Sequence, residues 1–130
     1  MSALIEVPRA YDRLPQFLLS RISCLPESQE YRALSGLEAG LPGIVCAAVG
    51  RLLQRLQETP QVRPLAAVEK RCLYEIYSVL EAMAESQDSL VVNALQIEVF
   101  ENFACSEAAM ARIVSQMGPK ALGVYQELKW

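Results

Sequence analysis

Proline spacing constrains this chain more than any other feature. Pro15, Pro42, Pro64 and Pro119 each precede a run of apolar residues at helical spacing. Proline's fixed φ and missing N–H suit the first turn of a helix and disrupt its interior. These marks predict an all-α fold, a compact multi-helix bundle of about seven helices over residues 12–24, 27–38, 42–58, 63–86, 88–104, 106–117 and 119–129. Ser28, Asp88 and Ser106 are suitable N-caps. Thr59-Pro60 ends the third helix, because the residue before a proline avoids the α region. Gly118 suits a left-handed stop ahead of Pro119. No six-residue stretch alternates cleanly enough to read as a strand. The β-branched runs Leu90-Val91-Val92 and Ile97-Glu98-Val99 lie inside a long capped apolar stretch and are assigned to helix. Stacked antiparallel helix pairs and an orthogonal bundle are both allowed.

The 130 residues suit one domain spanning 1–130, and a hydrophobic fraction of 52% can fill a core without disulfides or metals. Disorder needs lower hydrophobicity and a larger net charge. The longest uncharged apolar stretch, 39–50, is broken by Pro42 and falls short of the roughly 20 residues of a membrane span. Residues 1–13 carry Glu6, Arg9, Asp12 and Arg13 and no apolar h-region, so no signal peptide is read. The expected compartment is the cytoplasm. Cys24, Cys46, Cys72 and Cys105 are therefore expected as reduced thiols, each a small hydrophobe of the core.

The chain has no histidine. That removes the commonest general base and metal ligand. No phosphate-binding loop, zinc spacing or EF-hand loop is present. The reading is a non-enzyme with no catalytic residue, no metal and no cofactor.

The charge is unevenly spread. Between Cys72 and Ala111 the acids are Glu75, Glu81, Glu85, Asp88, Glu98, Glu101 and Glu107, with no Lys or Arg among them. The rest of the chain holds 12 bases and 8 acids. Asp88 and Glu107 lie at helix starts, where anions are favourable. Glu81 and Glu85 do not. They fall in the last turns of the fourth helix and form a like-charge i,i+4 pair, so stability alone would favour lysine there. In that helix Leu65, Val68, Cys72, Ile76, Val79, Leu80 and Met83 share one side. Lys70, Arg71, Tyr74, Ser78, Glu81 and Glu85 take the other. An aromatic amid an acidic stripe has the composition of an interface anchor with a steering rim. The fifth helix is apolar almost all round and is expected at the centre. Its polar lines are Asn93 with Gln96, and Glu98 with Glu101 and Asn102.

The segment Asn93-Ala94-Leu95-Gln96-Ile97-Glu98-Val99-Phe100-Glu101-Asn102-Phe103 resembles an N-L-x-x-V-S-F-L-E-N-L block of a family of small all-helical bacterial proteins. Met117-Gly118-Pro119-Lys120, followed by Leu122, Leu128 and Lys129-Trp130, resembles that family's closing L-G-P-K-L helix. Glu98 and Phe103 depart from the family's small residue and leucine. Members resemble immunity proteins encoded beside polymorphic or contact-dependent toxins. The resemblance implies a protein that binds and neutralises a cognate toxin domain, and it implies no catalytic site. The alternative is a non-inhibitory adaptor or secretion chaperone. The candidate partner-binding residues are Tyr74, Ser78, Glu81, Glu85 and Asp88, with Glu98, Glu101 and Asn102 as a second patch. An acidic face repels nucleic acid and anionic lipid, so the expected partner is a protein with a basic surface. A homodimer through the apolar tail Val124, Tyr125, Leu128 and Trp130 is allowed. Docking of that tail on its own bundle is the expected arrangement.

Overall fold

The structure is a computed structural model that describes residues 7, 8 and 10–128. A 3₁₀ turn at Tyr11–Arg13 leads into α1 (Leu14–Arg21), followed by α2 (Gln29–Arg32), α3 (Pro42–Glu58), α4 (Ala67–Ala84), α5 (Ser89–Ala94), α6 (Glu107–Gln116) and α7 (Pro119–Glu127). Further 3₁₀ turns lie at Glu38–Gly40 and Thr59–Gln61, and α5 continues as a π-helical turn over Leu95–Phe100. The described residues contain no strand. No helix is long and apolar enough to cross a membrane among them.

The central element is α3, not the fifth helix. Val45, Cys46, Ala48, Val49, Gly50, Leu52, Leu53, Leu56 and Gln57 are all buried along it. It packs on α1, α2, α4, α5, the π turn and α6. Gly50 is the point of closest approach: a Cβ there would sit 3.4 Å from the Val99 backbone. The fifth helix buries Val91, Ala94, Leu95, Val99 and Phe100, but leaves Leu90 and Ile97 exposed. Its all-round apolarity therefore marks a helix with one buried face and a greasy outer edge.

Local chemistry moved three helix boundaries. Ser28 caps α2 as expected, its hydroxyl accepting from Tyr31 N–H at 3.2 Å. That helix stops at Arg32, however, short of residue 38. Beyond it Ser35 and Glu38 bond reciprocally, with Ser35 N–H donating to Glu38 Oε1 at 2.8 Å and Glu38 N–H to Ser35 Oγ at 3.1 Å. This capping box opens a new turn instead of prolonging the old helix. Likewise α4 begins at Ala67, not at 63, because Glu69 accepts from the Ala66 N–H at 2.8 Å while Arg63 grips its two oxygens at 2.8 and 2.7 Å. The later start leaves Leu65 outside the helix and Val68 66% exposed, off the buried face assigned to both. The fifth helix ends at residue 100, not 104. There Glu101 N–H reaches Gln96 C=O at 2.9 Å. Asn102 Nδ2 donates to Ile97 and Glu98 carbonyls at 3.3 and 3.0 Å, satisfying the end of the turn.

The cysteines divide. Cys46 is a buried free thiol, and burial followed by the Glu98 charge pushes its pKa up to about 12. Cys105 is a half-buried free thiol. Cys24 and Cys72, expected as free core residues, are joined by a disulfide with Cα atoms 5.9 Å apart. It fastens the loop after α1 to the first turns of α4. The tail docks intramolecularly: Tyr125 meets Phe100 edge to face with centroids 5.5 Å apart, and Val124 and Leu128 pack on the core. Trp130 lies outside the described residues.

Candidate functional site

One face of α4 borders an open groove of about 760 Å³. Lys70, Leu73, Tyr74, Tyr77, Ser78, Glu81, Ala82 and Glu85 form one wall, and Leu65, Gln116 and Gly118 complete it. The α4 residues follow the i, i+3, i+4, i+7 rule, so a single helical face runs the length of the groove. Tyr74 is 74% exposed and stands proud of it. The floor is held by a buried amide. Gln57, fully buried on α3, donates through Nε2 to the Tyr77 hydroxyl at 2.8 Å and to Gln116 Oε1 at 2.9 Å. Burial pushes the Tyr77 phenol up to about 12, against the opposing Gln57 bond. The main-chain carbonyl of Gln57 accepts twice from Arg112, at 2.9 and 2.6 Å, which ties α6 to the same point.

The predicted residues separate into groove, cap and surface. Tyr74, Ser78, Glu81 and Glu85 line the groove together. Ser78 Oγ donates to its own helix at Tyr74 C=O, 2.9 Å away. Glu81 is not the unexplained anion that the helix dipole suggests. Its carboxylate accepts from the Lys120 and Ala121 N–H groups, both at 2.9 Å, and so caps α7 from across the fold. Gly118 makes this approach available by lacking a side chain, since a Cβ there would overlap Glu81 Oε1. Its backbone is extended (φ −69°, ψ 163°), so Gly118 provides space for an acid and is not the expected left-handed stop.

Asp88 is likewise occupied. Oδ1 accepts from Leu90 N–H and Oδ2 from Tyr11 N–H, each at 2.9 Å, so one carboxylate caps α5 and pins the first turn of the chain. It lies beside Glu85 in a separate shallow cleft with Val7, Pro8 and Gln87. Glu98 is half-buried over the first turn of α3, with Oε2 3.1 Å from where a Gly43 Cβ would be. A negative charge there suits the positive end of that helix. Asn102 is spent on the π turn. Glu101 is exposed. Asn102 therefore sits against the Glu98 main chain with the exposed Glu101 beside it, but its amide is engaged in closing the turn.

Glu75 follows the same rule, accepting from Ser23 N–H at 2.9 Å and Ser23 Oγ at 2.7 Å. Burial raises its pKa, but the Ser23 bonds and Arg71 outweigh this and hold it below the usual range. The structure adds Tyr77, Gln116 and Lys70 to the predicted residues. Lys70 and Tyr77 are legible from helical spacing, four before and three after Tyr74, whereas Gln116 is brought in by Gln57 from another helix.

Comparisons with family models, with curated proteins and with solved structures find no match to this chain. Function is therefore read from the groove and from the resemblance in residues 93–103 and 117–130.

Proposed function

We propose that this protein is an immunity protein that binds and neutralises a cognate bacterial toxin domain, using the α4 groove. The observation that carries the reading is Tyr74, a large aromatic 74% exposed above an apolar floor of Leu73, Tyr77 and Ala82. Exposed aromatics beside an apolar groove are the usual anchors of protein interfaces. Glu85 supplies an exposed anion at one end of the groove, suited to a basic partner. Tyr74, Ser78 and Glu85 form the contact edge, with Glu81 contributing its flank while it caps α7. Asp88 adds charge behind Glu85.

A non-inhibitory adaptor or secretion chaperone is the second reading. It is favoured by the tertiary duties of Glu81 and Asp88, which leave shape rather than massed charge as the means of recognition. The test is co-expression with the product of the neighbouring gene, or with its C-terminal domain. Growth arrest relieved by the wild-type chain, and not by a folded Tyr74→Ala variant, is the expected outcome. Persistent arrest despite soluble co-expression overturns the immunity reading. Stable capture of a partner that stays active assigns the adaptor role.

A further inference from the structure

The groove face of α4 has a property beyond its spacing. Its residues are complementary to themselves when the helix is reversed. Counting outward from the midpoint between Tyr77 and Ser78, Tyr77 answers Ser78, Tyr74 answers Glu81, Leu73 answers Ala82 and Lys70 answers Glu85. Each pairing joins compatible groups: phenol with hydroxyl, phenol with carboxylate, apolar with apolar, and base with acid. Exposure matches in three of the four pairings: Lys70 and Glu85 are exposed, Tyr77 and Ser78 are half-buried, and Leu73 and Ala82 are both at 4%, whereas Tyr74 is exposed and Glu81 half-buried.

Within one chain the outer pair cannot meet. Fifteen residues at 1.5 Å rise put Lys70 and Glu85 about 22 Å apart along the helix. That is well beyond a Debye length of roughly 8 Å. Neither side chain has a hydrogen-bond or ion-pair partner among the described residues. We infer that a second copy of this chain occupies the groove, with α4 packed antiparallel on α4 about a two-fold axis between Tyr77 and Ser78. Such an interface is isologous, so each contact forms twice. Lys70 of each copy then meets Glu85 of the other at the two ends, with the exposed Tyr74 rings between them, while Leu73 and Ala82 stay covered within their own chain. The inference concerns the protein alone and does not rest on the toxin reading. Dimer and partner use one face and exclude each other.

The test is sedimentation equilibrium of the purified chain from the micromolar to the millimolar range, with circular dichroism as the folding control. The wild type should dimerise, less tightly at high salt. Lys70→Glu or Glu85→Lys alone places like charges at both ends and should weaken the dimer about tenfold. The double exchange K70E/E85K restores opposite charges only across an antiparallel pair and should recover dimerisation. A wild type that stays monomeric throughout overturns the proposal. So does a dimer indifferent to either single exchange, or a double variant no better than the singles. Because both positions are exposed, the variants should retain the wild-type fold, and rescue by the second exchange cannot come from within one chain.

Discussion

The two halves of the chain treat their acids differently. In the first, two acids hold arginines in a fork, Glu30 with Arg55 at 2.6 and 3.0 Å and Glu69 with Arg63, while Glu38 and Glu58 accept from the Ser35 and Ser106 amides. In the second, which has no bases between residues 72 and 111, the partnered acids turn mainly to the main chain. Glu75 takes Ser23 N–H with Arg71 beside it, Glu81 takes two amides of α7, and Asp88 takes Tyr11 and Leu90. A backbone N–H at a helix start is an orphan donor carrying partial positive charge. It can stand where an arginine would. Three acids of the block, Glu75, Glu81 and Asp88, are thus spent on the main chain, and Glu85, Glu101 and Glu107 are its exposed remainder.

The largest test severs what joins the two halves. Cys24 belongs to the first and Cys72 to the second, 48 residues apart. Loop-closure entropy assigns a disulfide of that span about 4 kcal/mol. Urea midpoints with and without reductant, and for Cys24→Ser, should fall accordingly. An unchanged midpoint would mean that packing alone joins the halves. Next comes Glu30→Ala, which strands Arg55 beside a nearly buried site. Because Arg55 is 39% exposed, the expected loss is about 2 kcal/mol, below that of a fully buried pair. Glu81→Ala should follow at about 1–2 kcal/mol, since it uncaps α7. Chemical denaturation separates the roles. If Glu81→Ala leaves stability intact and abolishes partner binding, the capping account fails and the acids return to function.

Acid titration sharpens the comparison group by group. Arg63, then the Ala66 amide, hold the Glu69 carboxyl at about 2, and Ser106's amide and hydroxyl lower Glu58. A carboxyl depressed in the folded state stabilises above its ordinary pKa. That stabilisation is lost as pH falls, for Glu69 between 4.5 and about 2. Melting temperatures should drop through this window. Added salt should weaken the Arg63–Glu69 contribution more than that of Glu75, whose closest bonds are to the uncharged amide and hydroxyl of Ser23. The smallest effects belong to Glu85→Ala and Glu101→Ala, each within about 0.5 kcal/mol of wild type by thermal melts. A larger loss would reveal a hidden partner and remove Glu85 from the exposed remainder.

What was legible followed from local chemistry. Pro42 and Thr59-Pro60 mark the bounds of α3, although Thr59 keeps α backbone (φ −56°, ψ −41°) and the chain runs on into a 3₁₀ turn instead of turning extended, and Ser28, Asp88 and Ser106 all cap as their side chains predict. The Ser35/Glu38 box was also present as a Ser-x-x-Glu pattern, and it outweighs the apolar run that suggested a longer α2. The rest lay in partners remote in sequence. Nothing around Glu81 points to an amide 39 residues on, and nothing around Cys24 points to Cys72. A charge count registers how many acids a segment holds, not which donors the fold brings to them. The exposure of Tyr74 followed from its place on the polar helix face, which depends on spacing alone. Spacing also puts Tyr77 on the groove face, but not the bond its hydroxyl accepts from Gln57 of another helix.

The π turn at Leu95–Phe100 has a consequence for how this chain can change length. A π turn accommodates one residue more than the α-helical turn it interrupts. Deleting a residue within it would tighten the turn to an ordinary one and leave Phe100 facing Tyr125. The same deletion inside α3 would rotate every later side chain of that helix by about 100° and turn its buried row outward. Single-residue deletions therefore have a site in the middle of this bundle where the helix can absorb them, and none along the element at its centre.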